Sequence, residues 1–255
     1  MNRLSIITVV KDDSNSLKST YLSLSNLAVD HEWVVIDGGS DLETLEWMKS
    51  IRSRRISYIR EKDKNLYDAM NKGIQLATGT HLLFINAGDE LVQSEELTKV
   101  LSILPIDAGI IGCIRRQLNG MPNSSYSVNP SYFLKWILKH GIKPANHQAT
   151  IYPAIFLENY PYDTELGLFA DQVSILELLD TKKIQINRSL AICTFQNGGL
   201  GDKQSRAAFL RQMLKFNFDN GTKLQKFLLL LQLPIILLVK IIYSAEHRIR
   251  MLLLR

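Results

Sequence analysis

The sequence has little cysteine and little proline, and each shortage excludes a class of protein. Its 255 residues include only two cysteines, Cys113 and Cys193, which are far apart and have neither a disulfide-framework nor a metal-ligand spacing. A disulfide-stabilised secreted domain and a cysteine-ligated metal module are therefore excluded, and a reducing cytoplasm fits. Seven prolines and fourteen glycines are too few for long disordered stretches, so we expect order nearly throughout.

The start of the chain lacks a recognisable secretory signal. Met1-Asn2-Arg3 is followed by a mostly apolar run that ends at the charged residues Lys11-Asp12-Asp13. That run is too short and too soon interrupted for the apolar region of a signal peptide. We interpret it as a first β-strand.

Excess basic charge is absent from the body of the chain. The net charge is +5, and residues 223–255 carry six basic residues against one acidic residue, so residues 1–222 are balanced. A nucleic-acid-binding protein usually carries its basic excess on the folded domain that contacts the polymer, with aromatic residues interleaved. The distribution predicts no nucleic-acid partner and favours anionic lipid as the partner of the tail.

Short β-branched runs alternate with amphipathic stretches in the first 113 residues. This alternation predicts an α/β fold, with parallel strands joined by helical crossovers that lie on both faces of a twisted sheet. The predicted strands are Leu4–Val10, Glu32–Ile36, Ile56–Ile59, His81–Asn86 and Ala108–Cys113. The predicted helices are about Ser14–Leu27, Asp41–Ile51, Leu66–Ala77 and Ser94–Leu101.

Polar and acidic residues follow four of these strands. Ligands of such sheets bind beyond the carboxyl ends of the strands, so these residues are expected to meet at one edge. A single Asp or Ser in such a loop is more often a helix cap than a ligand contact, but four acidic strand ends together indicate a site. The clusters are Lys11-Asp12-Asp13, residues 37–41, Glu61-Lys62-Asp63 and residues 86–90.

Residues 114–170 are less periodic and are broken by five prolines, which favours a substrate-facing subdomain over a continued repeat. We therefore predict a domain at 1–222 with two halves, 1–113 and 114–222. A basic amphipathic tail follows at 223–255.

Four segments, in this order, resemble the family 2 glycosyltransferases, which are inverting enzymes with the GT-A fold, a mostly parallel Rossmann-like sheet flanked by helices. The segments are Leu4 to Val10, Glu32 to Asp41, Glu61 to Ile74 and Leu83 to Asp89. The resemblance covers roughly residues 3–200 and is greatest with the branch found in bacterial surface-polysaccharide gene clusters. It implies a hexosyltransferase that uses a nucleotide sugar, with a nucleotide-sugar-binding half at 1–113 and an acceptor-binding half at 114–222.

The resemblance implies a donor site with several of these residues. Asp37 matches the position that accepts the imide hydrogen of uracil in a UDP-sugar, and Thr8 helps to frame the base. Asp68 and Lys72 support the donor from their helix. The alternatives are that Asp37 caps the helix beginning near Asp41, and that Asp68 and Lys72 are only solvated helix-surface residues.

Asp89 matches the family's metal-binding carboxylate, which implies Mn²⁺ or Mg²⁺ bridging the diphosphate. The family's first acidic position is Gly88 here, so the ribose contact is expected from the amide of Asn86 or from backbone. The alternative role of Asp89 is an N-cap for the following helix, which is compatible with metal binding.

The family's base, which takes the proton from the acceptor hydroxyl, corresponds to Asp171 at the start of an apolar helix. Asp163 and Glu165 are the nearby substitutes, and the alternative role of Asp171 is again a helix cap. His147, in a His-Gln pair common in the same branch, is expected on the acceptor or phosphate side; a lone histidine is as often structural. The glycines of residues 195–201 resemble a mobile loop that closes over the donor, or form a plain turn.

The apolar segment Phe227–Tyr243 contains Gln232, Pro234 and Lys240, which make it short and interrupted for a transmembrane helix. A pair of helices lying in the membrane surface fits better. The alternatives are a core-packing helix or the interface of a homodimer.

The leading hypothesis is transfer of a hexose from a UDP-sugar to a polyprenyl-diphosphate-linked glycan at the cytoplasmic face of the bacterial inner membrane. The product would be an O-antigen, capsule or exopolysaccharide repeat, as in lipopolysaccharide assembly. A second hypothesis is a catalytically inactive scaffold with the same fold, in which Gly88 reflects a lost donor site. A nucleotidyltransferase is disfavoured because no Gly-rich, basic loop follows Val10.

Overall fold

The computed structural model describes residues 3–25, 27–51, 53–117, 125–128, 134–140, 146–196 and 206–253. The chain forms two compact units, Met1–Pro130 with Asn146–Asn197, and Ser131–Ala145 with Gly198–Arg255. These units group the chain by compactness and say nothing about the binding role of each part. The predicted halves and the boundary after residue 222 stay predictions.

The first unit begins with four parallel strands, as the alternating sequence pattern predicts. They are β1 (Leu4–Val10), β2 (His31–Asp37), β3 (Ile56–Arg60) and β4 (His81–Phe84). Their order in the sheet is β3-β2-β1-β4. The chain thus builds outward from β1 in one direction and then returns to its other side, and a crevice opens at the carboxyl ends where the order reverses.

Side-chain caps fix the starts of the crossover helices. Asp13, Asp41, Asn65 and Ser94 each accept a backbone N–H in the first turn of the helix that follows. The helices are α1 (Ser14–Leu24), α2 (Leu42–Ser50), α3 (Leu66–Leu76) and α4 (Glu95–Ile103). All four predicted helices are confirmed, with ends that differ by a few residues.

The sheet continues with strands of both directions. They are β5 (Glu90–Leu91), β6 (Gly109–Gln117), β7 (Ser125–Val128), β8 (Thr150–Pro153) and β9 (Ile184–Phe195). The full order is β3-β2-β1-β4-β8-β6-β9-β5, with β7 paired to β6. The fifth predicted strand corresponds to β6, but it does not lie beside β4. Antiparallel β8 separates them, with Leu83 opposite Ile151.

The remaining helices are α5 (Leu134–Lys139), α6 (Ala154–Asn159), α7 (Ala170–Asp180), α8 (Arg206–Asn220) and α9 (Lys223–Leu253). Two 3₁₀ turns, His147–Ala149 and Thr164–Phe169, precede β8 and α7. The fold is the predicted α/β arrangement in which most strands run in one direction and helices flank the sheet.

The core of the first unit lies on the face of the sheet that α1, α2 and α4 cover. Alternate residues of the strands point to this face, which gives Leu4, Ile6 and Val10 from β1 and Trp33 and Val35 from β2. All five are at most 6% exposed. This rigid interior holds the strand ends, and with them the polar loops, in place.

The second unit has a small core of its own. Ile137, Leu210, Leu229 and Ile236 pack together from α5, α8 and α9. The predicted pair of surface helices is one continuous helix across Pro234, although proline removes a helical N–H. Within the described residues, Lys223–Ile242 is long and apolar enough to cross a membrane. Many of its leucines and isoleucines, among them Leu231 and Leu238, are exposed.

Candidate active site

Thr8 lies inside β1, two residues before the end of the strand, and is completely buried. Its Oγ1 accepts a hydrogen bond of 2.9 Å from the indole Nε1 of Trp33. Thr8 does not stand at the end of the strand, because β1 continues to Val10. The contacts of Thr8 are those of a packing residue, and its contact with a base stays a prediction.

Asp37 ends β2, and its buried carboxylate accepts hydrogen bonds from groups of the protein itself. Oδ1 accepts the backbone N–H groups of Gly39 at 3.1 Å and Ser40 at 2.7 Å. Oδ2 accepts the hydroxyl of Tyr58 at 2.6 Å, and burial together with this carboxylate raises the pKa of Tyr58. Asp41, and not Asp37, caps α2. Asp37 therefore shapes the turn after β2.

The loops after β1, β2 and β3 meet, as the strand-end prediction requires. The backbone N–H of Asp12 donates to Ser40 Oγ at 2.8 Å. A Cβ added at Gly38 would lie 3.0 Å from Asp63 Oδ2, so the third loop rests directly on the second. Gly39, with φ of +93°, makes the turn that brings these loops together.

Lys72 and Asp68 hold the loop after β3. The ammonium of Lys72 lies 2.6 Å from Asp63 Oδ1, 2.8 Å from Glu61 Oε1 and 3.7 Å from Asp68 Oδ2. The carboxylates of Asp63 and Glu61 raise the pKa of Lys72. Asp68 also accepts the N–H of Lys64 at 2.9 Å. Both residues are thus part of an ion-paired cluster, not solvated helix-surface groups.

A tight turn after β4 carries Asn86 and Asp89. The N–H of Asp89 donates to the carbonyl of Asn86 at 3.0 Å, and Gly88 has a φ of +95°. Residues with a side chain rarely adopt that backbone conformation, so the turn itself favours glycine at position 88. The absence of an acid there therefore follows from the turn and is no sign of a lost site.

The pair His147-Gln148 holds this turn from the opposite side. His147 Nε2 lies 3.3 Å from Asn86 Nδ2, and Gln148 Nε2 donates to Asp89 Oδ2 at 2.5 Å. The other oxygen of Asp89 accepts the N–H of Gln196 at 3.0 Å. Asp89 is 4% exposed and is not the cap of α4, which is Ser94. We call these four side chains, Asn86, Asp89, His147 and Gln148, the β4-turn clamp.

Asp171 lies behind the clamp, in the first turn of α7. Its Oδ2 is 3.0 Å from His147 Nδ1, and both side chains are mostly buried. Asp171 is not a helix cap, because Phe169 occupies that position and the cap makes no side-chain hydrogen bond. Asp163 caps the preceding 3₁₀ turn instead. The structure therefore brings together Asn86, Asp89, His147 and Asp171, but not Thr8.

The oxygens of the clamp fit a divalent cation that is held mainly by substrate phosphates. Mg²⁺ is commonly bound through one or two carboxylates plus phosphates and waters. Asp89 supplies one carboxylate, and Asn86 Oδ1 is buried without a hydrogen-bond partner in the described structure. Among the described residues, no three or more His, Cys, Asp or Glu side chains are grouped so that they could hold a metal ion.

Two contacts of the site carry no local sequence signal. Gln148, the second residue of the predicted His-Gln pair, contacts Asp89, and Tyr67 of α3 shares a hydrogen bond with Asp171. Burial, and after it the negative charge of Asp171, raises the pKa of Tyr67. Only the tertiary fold joins these residues. The glycine loop at residues 197–201 lies outside the described residues.

Both the sequence and the fold are similar to those of known proteins. The model of the family described as glycosyl transferase family 2 matches residues 5–154. A PGL/p-HBAD biosynthesis glycosyltransferase of Mycobacterium bovis is 32% identical over 151 residues, which are 56% of this chain and 56% of that protein. The chain thus spans little more than half the length of this relative. An uncharacterized glycosyltransferase of Mycobacterium tuberculosis is 25% identical over 213 residues, which are 80% of this chain and 79% of that protein.

Solved structures share the fold at low sequence identity. The Staphylococcus aureus protein TarS, residues 1–349 in complex with UDP-GlcNAc, has a TM-score of 0.66 at 16% identity, covering 89% of this chain and 70% of that one. The mannosyltransferase PcManGT of Pyrobaculum calidifontis, in complex with GDP-Man and Mn²⁺, has a TM-score of 0.63 at 14% identity, covering 87% and 65%. The architecture described above is therefore that of these transferases.

Proposed function

The chain belongs to glycosyl transferase family 2, and on that premise we propose that it transfers a hexose from a UDP-sugar to a lipid-linked glycan with inversion at the anomeric carbon. The observation that carries the proposal is the β4-turn clamp with Asp171 behind it. The clamp stands at the carboxyl end of β4, beside β1, where the strand order reverses and a nucleotide is expected.

The donor is assigned to the strand-end loops. The joined loops after β1, β2 and β3 form a floor for the nucleoside, with the turn Asp37–Ser40 at its centre. Because Asp37 accepts the N–H groups of Gly39 and Ser40, we propose that it positions uracil mainly through this turn. Lys72 and Asp68 keep the third loop in place, and Asn86 Oδ1 offers an unused acceptor to a ribose or sugar hydroxyl.

A divalent cation, Mn²⁺ or Mg²⁺, is proposed at Asp89, the buried carboxylate of the clamp. When bound, the cation offsets negative charge on the diphosphate leaving group. The side chain of Gln148 and the backbone of Gln196 fix the direction of the Asp89 carboxylate before any ligand arrives. Transfer that survives a chelator at full rate contradicts this role.

The acceptor proposal rests on α9. The helix exposes a broad apolar surface, and residues 223–255 carry the net positive charge of the whole chain. Such a helix suits the surface of an anionic membrane. An acceptor on a polyprenyl diphosphate stays at that surface, so we propose action at the cytoplasmic face of the inner membrane. We further propose that the product belongs to an O-antigen, capsule or exopolysaccharide.

The test is donor turnover by the full chain. Purified protein is incubated with UDP-glucose, UDP-galactose, UDP-N-acetylglucosamine or UDP-N-acetylgalactosamine, with Mn²⁺ and farnesyl-diphosphate-linked N-acetylglucosamine in vesicles. We expect release of UDP from one donor, and a loss of about 10²-fold or more in Asp171→Asn. Asp180 is exposed at the end of the same helix, and Asp180→Asn is the control that should keep the wild-type rate. Absence of turnover with every donor contradicts the proposal and favours the scaffold hypothesis.

A further inference from the structure

Helix α3 presents two neighbouring faces to different parts of the site. Asp68 and Lys72, which are one turn apart, hold the loop after β3, and this loop belongs to the proposed floor for the nucleoside. Tyr67 and Asn71 come immediately before them in the chain and are also one turn apart, so they share the adjoining face of the helix. This second face contacts Asp171 and the segment that leads to it.

Tyr67 contacts the carboxylate of Asp171 directly. Its side chain is buried, its hydroxyl donates to that carboxylate, and the backbone N–H of Asp171 donates back to the hydroxyl. On the other side of the carboxylate, Oδ2 lies 3.0 Å from His147 Nδ1. An ionised carboxylate offers about four lone-pair positions, so two partners of this kind fix its direction and leave positions for an acceptor hydroxyl.

Asn71 holds the backbone that leads to Asp171. Its Nδ2 donates to the carbonyl of Tyr162 at 2.8 Å, and its Oδ1 accepts the N–H of the same residue at 2.9 Å. The ring of Tyr162 packs against that of Tyr67, with centroids 5.1 Å apart. At the start of α3, Asn65 Nδ2 donates to the carbonyl of Thr164 at 3.2 Å. The segment before α7 is therefore bonded to α3 at two backbone positions.

The start of α7 needs this support because its own cap supplies little. The cap residue is Phe169, which makes no side-chain hydrogen bond to the first turn, and the chain enters through the 3₁₀ turn Thr164–Phe169. Helix α3, in contrast, is fixed on the sheet. A Cβ added at Gly73 would overlap Ile7 Cγ2 of β1, so the helix lies directly on that strand. Bonds from α3 therefore tie Asp171 to the rigid part of the fold.

From these contacts we infer that Tyr67 and Asn71 are positioning residues for Asp171, the carboxylate that takes the proton of the acceptor hydroxyl. The inference rests on the proposed function and deepens it. Tyr67 orients the carboxylate, and Asn71 fixes the chain that carries it. Because Lys72 holds the donor loop from the adjoining face, one helix sets the position of the base relative to the proposed donor site. Proton transfer depends on that position, since small displacements of reacting groups slow a reaction strongly.

Steady-state kinetics separate the two faces of α3. In the turnover assay with the active UDP-sugar and farnesyl-diphosphate-linked N-acetylglucosamine, Tyr67→Phe should lose about 10- to 100-fold in kcat, with a donor KM within about twofold of wild type. Asn71→Ala should show the same division between kcat and KM. Lys72→Met, on the adjoining face, should chiefly raise the donor KM. Tyr21→Phe is the matched control, because it removes a tyrosine hydroxyl from α1, where the ring packs against Trp33, and it should change neither constant.

A double variant separates positioning from a general loss of structure. Asp171→Asn removes the base, so adding Tyr67→Phe to it should cost less than about threefold more in kcat, because Tyr67 acts through that carboxylate. Calorimetry of Mn²⁺-dependent UDP binding should give the wild-type affinity for Tyr67→Phe, which shows that the variant is folded. Two full losses that multiply in the double variant overturn the inference. A Tyr67→Phe protein whose kcat stays within about threefold of wild type also overturns it.

Amide hydrogen exchange tests the two faces without any turnover. In the full-length Asn71→Ala protein, peptides covering residues 160–171 should exchange faster than in the wild type, and peptides covering residues 61–65 should not. Lys72→Met should give the reverse pattern. Unchanged exchange of residues 160–171 in Asn71→Ala overturns the inference. If the wild type transfers from no UDP-sugar but the exchange pattern is the expected one, the proposed function has failed while the support of Asp171 by α3 stands.

Discussion

The hydrogen bond between Thr8 and Trp33 gives a quantitative test of whether Thr8 serves the fold or the nucleotide. Thr8→Val keeps the shape of the side chain but removes the acceptor of a buried indole N–H, since Trp33 is only 3% exposed. An unsatisfied buried donor costs about 1–3 kcal/mol, and the new methyl group recovers part of this. We expect a net loss of about 1–2 kcal/mol in the free energy of unfolding.

The assay is urea denaturation of four proteins: wild type, Thr8→Val, Trp33→Phe and the double variant. Replacing both partners leaves no orphaned N–H, so Thr8→Val should cost little in the Trp33→Phe background, with a coupling of about 1 kcal/mol. Thermal denaturation should shift by about 2–4 °C per kcal/mol for a chain of this size class. The donor KM should stay within about twofold of wild type.

Two results would refute this reasoning. A Thr8→Val protein with unchanged stability would mean that the hydrogen bond contributes nothing. A donor KM raised about tenfold or more in Thr8→Val would restore the predicted base contact.

Three further predictions concern other parts of the molecule. Gln148→Leu should weaken Mn²⁺-dependent UDP binding about 10- to 100-fold by calorimetry, because Asp89 loses its orienting donor, whereas exposed Gln185→Leu should not. Burial lowers the pKa of His81, so below about pH 6.5 the unfolded chain protonates this histidine more readily than the folded chain does. The free energy of unfolding should therefore fall as the pH drops through this range. Urea denaturation at pH 7.5 and 5.5 should show a smaller fall in His81→Gln than in the wild type. In sedimentation with phosphatidylglycerol vesicles, Leu231→Glu/Leu238→Glu should move the protein from the pellet to the supernatant. The control Leu42→Glu/Ile103→Glu changes side chains outside α9 that are even more exposed, and it should stay in the pellet. Equal binding of both variants contradicts a membrane role for α9.

The parallel half of the fold follows from local patterns in the sequence. β1 was predicted with its correct bounds, and the caps Asp41 and Ser94 were recognisable from residue type and position. These features are local, because strand periodicity and capping depend on residues a few positions apart. The antiparallel insertion of β8 between β4 and β6 depends on a pairing between distant segments, and no local pattern encodes it.

The same distinction applies to the site. The sequence placed Asp37, Asp89 and Asp171 at element ends, and the structure agrees with those positions. It did not predict which neighbours would use each side chain. Asp37 is used by Tyr58 and its own turn, and Asp171 by His147 and Tyr67. Hydrogen bonds between residues separated by twenty or more positions arise from packing and are not visible in one sequence.

The antiparallel pairing of β8 with β4 also bears on the order in which the protein folds. Because Leu83 lies opposite Ile151, the residues just before β8 are carried to those just after β4, and His147 and Gln148 reach Asn86 and Asp89 without a separate adjustment. Pairing of segments so distant along the chain is slow, since a long loop must close first. An intermediate in which β1 to β4 have formed but β8 is still unpaired would have the loops proposed to bind the nucleoside, but it would lack the β4-turn clamp. Recovery of donor binding during refolding should therefore lag behind burial of Trp33 and coincide with closure of the centre of the sheet.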